Sequence, residues 1–394
     1  MNRGDFLCGL AGAAIMAAGG RGRAAVAPRA WKAAVIGHTG RGNFGHNLDL
    51  IFNDRPGIEV VAVADPNPAG RVKARERCQA RRSYADYQAM LEKERPQLVS
   101  VAPRMTDQHH AMVSAALAVG AHVYCEKPFT RTLAEADDLI ALAQRAGRKI
   151  AVAHQGRNAP ATLLLKRRFD EGVIGDLLEI RAHGKQDKRA GGEDMVVLGT
   201  HTFDLMRFFA GDPEWASARI LQGGREVTPA DIHAATEEIG PIVGDEIEAW
   251  FAFPRGVSGR FTSRAKNAVA SGPWGMELIG TKGRLRLLND VHTQAFIARE
   301  GASAERGDTR EWLPLDPRGG AFAGVTDLTN IAANRRVVDD WLDAIERDRE
   351  PVCSGWAAMK SLELIHAVFA AGMSRGRVAL PLVARSHPLE AARG

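Results

Sequence analysis

Cysteine is scarce in this sequence: there are four in 394 residues, at positions 8, 78, 125 and 353. Such wide spacing forms neither a disulfide framework nor a zinc pattern. The 12 histidines are scattered, with no H-E-x-x-H and no paired Cys/His spacing, so no metal site is expected. No G-x-S-x-G elbow occurs, which removes support for serine-hydrolase chemistry. Lysine and arginine form no runs alternating with aromatics and the net charge is only +5, so no nucleic-acid partner is expected. The chain carries no internal repeat and no long low-complexity linker. The apolar stretch near its start, Phe6 to Ala18, is too short to span a bilayer, so no membrane partner is expected either.

What is present is ordinary globular composition, 45% hydrophobic and 25% charged, over a length that suggests two domains. Residues 1–27 are set apart as a leader, with a charged start, a short apolar stretch and a small-residue exit at Ala25-Val26-Ala27. From Lys32 to Ala153 short apolar runs alternate with helical patterns: AAVIG (33–37), IEVVAVA (58–64), LVSVA (98–102), HVYC (122–125) and KIAVA (149–153). Continuous apolar strands joined by helices indicate a parallel sheet covered on both faces, a doubly wound α/β domain. Over 154–385 the texture changes to half-alternating stretches such as EIEAWFAFPRG, VSGRFTSRA and MELIGTKGRLRLL. These predict an open, mostly antiparallel sheet, closed by C-terminal helices.

The first strand runs into GHTGRGNFGH. Gly40-Arg41-Gly42-Asn43-Phe44-Gly45 satisfies G-x-G-x-x-G, with Gly37 as an alternative first glycine. Glycines here permit a tight turn and let backbone N–H groups approach a pyrophosphate at the start of a following helix. The second strand ends at Asp65, 20 residues past Gly45, where a carboxylate can hold ribose hydroxyls. That carboxylate favours NAD over NADP, although Arg41 or Arg71 could offset its repulsion of a 2′-phosphate. A pair of charges, Glu126 and Lys127, then follows the apolar run HVYC directly and precedes Pro128. Ligands of open α/β sheets bind beyond the carboxyl ends of the strands, which is where Lys127 falls. Partial dehydration there would depress its pKa and suit it to exchange a proton with a substrate hydroxyl.

The glycine loop, VAPRMTDQHHAMVSAALAVGAHVYCEKP, GTHTFDLMRF, IGTKGRLRL and the closing VALPL resemble the glucose–fructose oxidoreductase / inositol dehydrogenase / MocA family. The resemblance implies a Rossmann domain (32–153), with E-K-P facing the nicotinamide, followed by a substrate domain with an open sheet. It implies Pro103 and His109 at the nicotinamide pocket, and His201 as a second acid/base. Val197 stands where family members often carry the aspartate of D-x-x-x-H, so the usual proton relay lacks its carboxylate here. Arg157, Lys185, Glu193, Asp194 and Asp204 are the further candidates for substrate contacts. The resemblance also implies a homo-oligomer, a dimer or tetramer.

The activity expected is NAD(P)-dependent oxidation of a secondary hydroxyl on a sugar, polyol or glycoside, with Lys127 as acid/base. NRGDFL is similar to a twin-arginine export signal, with Gly4 in place of the second arginine, so a periplasmic location is expected; the alternative is a cytoplasmic protein with a disordered leader. An exported enzyme would carry its cofactor tightly bound. That condition keeps a second reading open, a redox-neutral glycoside lyase, glycosidase or epimerase. A non-catalytic sugar- or nucleotide-binding protein is the third.

Overall fold

The computed structural model describes residues 31–265, 273–289, 293–299, 311–317, 327 and 329–393. The expected leader, 1–27, with Cys8, lies outside them. Six parallel strands form the first sheet: β1 (Trp31–Ile36), β2 (Ile58–Ala64), β3 (Arg82–Tyr84), β4 (Leu98–Val101), β5 (His122–Cys125) and β6 (Ile150–Val152). Their order is β3-β2-β1-β4-β5-β6, so the direction of winding reverses beside β1. Ala33 to Ile36 in β1 and all of β4 and β5 are buried, because helices cover both faces. The helices begin and end where local chemistry dictates. Thr132 and Glu135 form a reciprocal capping box at the start of helix Leu133–Ala146, and Gly147 ends it in the left-handed region at φ 61°.

Two features differ from the sequence reading. Arg82–Tyr84 has no apolar run to announce it; this edge strand is held by Arg82 and Tyr84 hydrogen bonding to Glu94. The glycine loop also does not enter a regular helix. Residues 38–54 are a succession of turns, because Gly42, Asn43, Gly45 and Asn47 all have positive φ (80°, 50°, 55° and 64°), which interrupts helical pairing.

The remaining strands are β7 (Leu177–His183), β8 (Trp215–Gln222), β9 (Arg225–Glu226), β10 (His233–Ala234), β11 (Pro241–Ile242), β12 (Glu246–Ala252), β13 (Ser258–Arg264), β14 (Trp274–Gly280), β15 (Gly283–Asn289), β16 (Gln294–Arg299), β17 (Leu313–Leu315) and β18 (Val378–Ala379). All but β10 and β11 join one sheet, ordered β17-β16-β15-β14-β7-β13-β12-β8-β18 with β9 on β8. Its pairs are antiparallel except β7 with β13. Alternation places Ile247, Ala249 and Phe251 of β12 inward, where the ring of Phe203, on helix Gly199–Ala210, meets Phe251 edge-on and Phe261 at a tilt, with centroids 5.4 and 4.8 Å apart. A further helix, Gly355–Ser374, packs on β8 and on helix Gly199–Ala210. This packing brings helix Gly199–Ala210, with His201, up to the carboxyl ends of the parallel strands.

Candidate functional site

The Glu-Lys-Pro turn leaves β5 at its carboxyl end. Glu126 is wholly buried, and its carboxylate accepts from the backbone N–H of His46 and of Lys127, both at 2.9 Å. The His46 ring adds Nδ1 at 3.0 Å. Burial would raise this carboxyl, but His46 and Lys127 outweigh it and hold the pKa at about 2. Glu126 therefore fastens the turn to the glycine loop. A side chain at Gly45 would run into that carboxylate and into the Ala102 carbonyl, a close approach that requires glycine. From below, His109 spans Pro103 O (2.7 Å from Nε2) and Pro128 O and Phe129 O (3.0 and 3.2 Å from Nδ1). His109 and Pro103 were expected to line the nicotinamide pocket. Instead they pin the turn from within the core, and neither reaches the cavity.

Lys127 is 4% exposed and opens onto a cavity of about 210 Å³ between the two sheets. Its ammonium donates to the carbonyl of Val197 at 3.1 Å. That carbonyl lies at the end of the short helix Gly192–Val197, a favourable place for a cation. Burial lowers the lysine pKa; Glu126 and Glu237 oppose the shift, while Arg189 and Arg104 reinforce it. His201 lines the same cavity, its ring 5.4 Å from that of His154 and 5.7 Å from that of Trp274. Burial first, then the nearby Lys127, His154 and His46, push the His201 pKa well below the usual imidazole value. His201 is therefore a neutral hydrogen-bonding group at neutral pH.

Of the other expected substrate contacts, only Lys185 lines this cavity. Arg157 and Asp204 pair with each other: Nε donates to Oδ2 at 2.6 Å, and Ser361 donates to Oδ1 at 3.3 Å. With the Arg157 guanidinium over Phe208 at 5.2 Å, the pair welds the last Rossmann turn to helix Gly199–Ala210. Asp194 accepts from Ser263 Oγ (2.6 Å) and from the N–H groups of Lys185 (3.2 Å) and Gln186 (3.0 Å), bracing the loop that presents Lys185. Glu193 accepts from Thr236. Close packing consumes these carboxylates, so a dense polar stretch in the sequence becomes mostly scaffold. The cavity gains instead His46, Arg104, Gln155, Arg189, Glu237 and Trp274. Of these, His46 and Arg104 adjoin Gly45 and Pro103 within the stretches already singled out, and Gln155 and Arg189 lie near Arg157 and Lys185, whereas Glu237 and Trp274 had no such signal.

A second cavity of about 460 Å³ lies across the glycine loop, lined by Thr39, Asn43, Phe44, Gly45, Asn67 and Gly70 among others. Gly45 faces this space and the next residue, His46, faces the Lys127 cavity, so one loop borders both. One loop bordering both cavities is an arrangement that would suit an elongated dinucleotide, with turn backbone in place of a helix N-terminus. Asp65 stands at the end of β2 as expected, yet its carboxylate is taken by the Thr39 hydroxyl at 2.6 Å and the Asn67 N–H at 2.9 Å. It braces the glycine loop and does not face the cavity; Thr39 and Asn67 are what line the space where ribose hydroxyls would lie. Gly40 is open to its surroundings, Gly42 is pressed against the backbone of Arg104 and Met105, and Gly37 against the Phe44 ring. Arg41 pairs with Asp107 and Arg71 with the Asp65 carbonyl, so neither is committed to a 2′-phosphate. Among the described residues no group of three or more His, Cys, Asp or Glu could hold a metal ion, and no helix is long and apolar enough to cross a membrane.

A doubly wound sheet with a glycine loop, joined to an open sheet across a crevice holding a buried lysine, defines a nucleotide-dependent two-domain oxidoreductase. Residues 31–154 match the family described as oxidoreductase family, NAD-binding Rossmann fold, and residues 162–286 match the GFO/IDH/MocA C-terminal domain; the chain belongs to the Gfo/Idh/MocA oxidoreductases. D-apiose dehydrogenase of Paraburkholderia graminis is 27% identical over 352 residues, covering 86% of this chain and 87% of its own length. Levoglucosan dehydrogenase of Pseudarthrobacter phenanthrenivorans is 25% identical over 286 residues, 66% of this chain and 73% of its own. A solved levoglucosan dehydrogenase complex with NADH and levoglucosan superposes with a TM-score of 0.71 at 20% identity, covering 89% of this chain and 100% of that one. Aldose-aldose oxidoreductase from Caulobacter crescentus, complexed with glycerol, gives 0.69 at 18% over 89% and 100%. At those identities the two solved structures share the fold.

Proposed function

We propose that this chain oxidises a secondary hydroxyl of a sugar, polyol or glycoside, with Lys127 exchanging the hydroxyl proton. The observation that carries the reading is the amine of Lys127, buried in a cavity with His201 on a turn that Glu126 fastens to the glycine loop. NAD, when bound, supplies the hydride acceptor at C4 of its nicotinamide. Burial makes the neutral amine of Lys127 accessible closer to neutral pH, so that it can take the proton from a carbinol as the C–H bond breaks. The Val197 carbonyl holds the amine in place from one side. His201, kept neutral, can hold the reacting or neighbouring hydroxyl without adding a charge. Trp274 presents an aromatic wall suited to the C–H face of a sugar ring, and Gln155, Lys185 and Asn289 add polar contacts around it.

The names of the two curated relatives, which act on apiose and levoglucosan, support a carbohydrate substrate. The test is the appearance of reduced nicotinamide when purified protein and NAD meet a panel of aldoses, anhydrosugars, inositols and glycosides. Reduction by at least one of them, lost in Lys127→Met, is expected. A variant that reduces NAD as fast as the native chain would remove Lys127 from the chemistry.

A further inference from the structure

Glu237 was not anticipated from the sequence, and it is the one carboxylate among the described residues that line the Lys127 cavity. It lies between the short strands β10 and β11, far in sequence from every other lining residue. Arg189 Nη1 donates to its Oε1 at 3.1 Å, and Oε2 has no hydrogen-bond partner among the described residues. The side chain is only 16% exposed. A carboxylate oxygen that faces a cavity is an acceptor to which a ligand hydroxyl can donate in place of water.

A simple role as a loop clip does not account for it. Arg189 is already held by Asp187, whose carboxylate accepts from Nη2 at 3.0 Å, from Nε at 3.3 Å and from the Arg189 N–H at 2.9 Å. The loop bearing Glu237 is already fastened one residue earlier, where Thr236 donates to Glu193 through its N–H at 3.2 Å and its hydroxyl. Both segments are secured without Glu237, and what remains for its open oxygen is the cavity.

We propose that Glu237 is a substrate-binding residue, whose open carboxylate oxygen accepts a hydroxyl of a polyhydroxylated substrate beside the carbinol that Lys127 serves. The inference rests on the oxidoreductase reading above and names a group that reading does not require. Its effect is local: a hydroxyl can donate to that oxygen, whereas an anionic substituent placed directly against Glu237 would be repelled. The carboxylate also acts on Lys127 through space. The charged and titratable groups around that amine are Glu126 and Glu237, which attract its proton, and Arg189, Arg104, Lys185, His46, His154 and His201. Removing Glu237 leaves Lys127 easier to deprotonate.

The experiment compares Glu237→Gln and Glu237→Asp with the native chain in two readouts. The first is the dissociation constant, from titration calorimetry in the presence of NADH, for whichever of D-glucose, D-xylose, levoglucosan and myo-inositol the native chain binds. The second is the pH profile of kcat/KM. A charge-assisted hydrogen bond predicts roughly 10- to 100-fold weaker sugar binding in Glu237→Gln, with partial recovery in Glu237→Asp. The acidic limb should move to lower pH in Glu237→Gln, because the neutral lysine is the active form. Binding within about twofold of native overturns the proposal; so does weaker binding with an unmoved limb, which would reduce Glu237 to a loop support. A native chain that binds sugar but never reduces NAD sinks the dehydrogenase reading alone, since the binding comparison still decides Glu237.

Discussion

The ammonium of Lys127 donates to the backbone carbonyl of Val197 at 3.1 Å, across the boundary between the two sheets. The side chain of Val197 is buried and apolar, so the contact is made by the main chain where a carboxylate would otherwise be expected. A carbonyl positions the amine without adding a full negative charge, and it leaves the lysine pKa free to fall with burial. Val197→Asp is expected to raise the lysine pKa and move the acidic limb of kcat/KM to higher pH. A limb that stays in place would show that residue 197 does not act on Lys127.

Lys127→Met keeps most of the apolar stem of the side chain but removes the proton-accepting nitrogen. Loss of general acid–base assistance is expected to lower kcat by roughly 10²- to 10⁴-fold. NAD affinity, measured by titration calorimetry, should change little, because the glycine loop and its cavity are untouched.

His201 should remain neutral across the working range. Its pKa is pushed well below 6.5 by burial and by Lys127, His154 and His46. Imidazole resonances of His201 followed by NMR are expected not to titrate between about pH 6 and 8. Titration in that interval would make His201, and not only Lys127, a source of the acidic limb.

Glu126 makes stability depend on acid. Its folded pKa of about 2 lies below its ordinary value of 4.5, so its contribution is fully present above the ordinary value. It is lost progressively as pH falls from about 4.5 toward 2. Linkage puts the full contribution on the order of 3 kcal/mol. Denaturant melts should show Glu126→Gln less stable than the native chain at pH 6, with the gap narrowing at pH 3. A gap that does not change with pH would assign the loss to packing alone.

Gly45→Ala should fail in two ways at once. The residue has φ 55°, and a Cβ there would meet the Ala102 carbonyl at 2.5 Å and the Glu126 carboxylate. The Glu126–His46 latch must shift, and both thermal stability and NAD affinity are expected to fall. Gly40→Ala is the comparison: it bears positive φ of 87° but has no atom within 4 Å of a Cβ. A smaller loss is expected there; equal losses would mean that backbone strain, not the close approach, sets the requirement for glycine.

The sequence made some parts of this legible and hid others, for identifiable reasons. The apolar strands β1, β2, β4, β5 and β6 were readable because each is buried on both faces; Arg82–Tyr84 was not, because an edge strand held by Glu94 needs no apolar run. The position of Lys127 at the mouth of the crevice was readable because it directly follows a buried strand, at the end where such sheets bind ligands. Asp65 was placed at the right end of β2, but its partner Thr39 depends on how the loop folds back. The carboxylates of Glu193, Asp194 and Asp204 looked like substrate contacts and proved to be internal braces. Residue type and loop position carry no information about which neighbour reaches a carboxylate first.

By itself the sequence determined the alternation of strand and helix, the change of texture after Ala153, the glycine loop and the lysine at the end of β5. These follow from patterns of two or about four residues and from local backbone requirements, all of which act between near neighbours. Only the tertiary structure decided that Glu237, Arg189, Trp274 and His46 share a cavity with Lys127, and that Arg157 and Asp204 do not. Those outcomes depend on close packing between segments far apart in the chain, where a side chain's role is set by the groups that folding brings within a few ångströms of it.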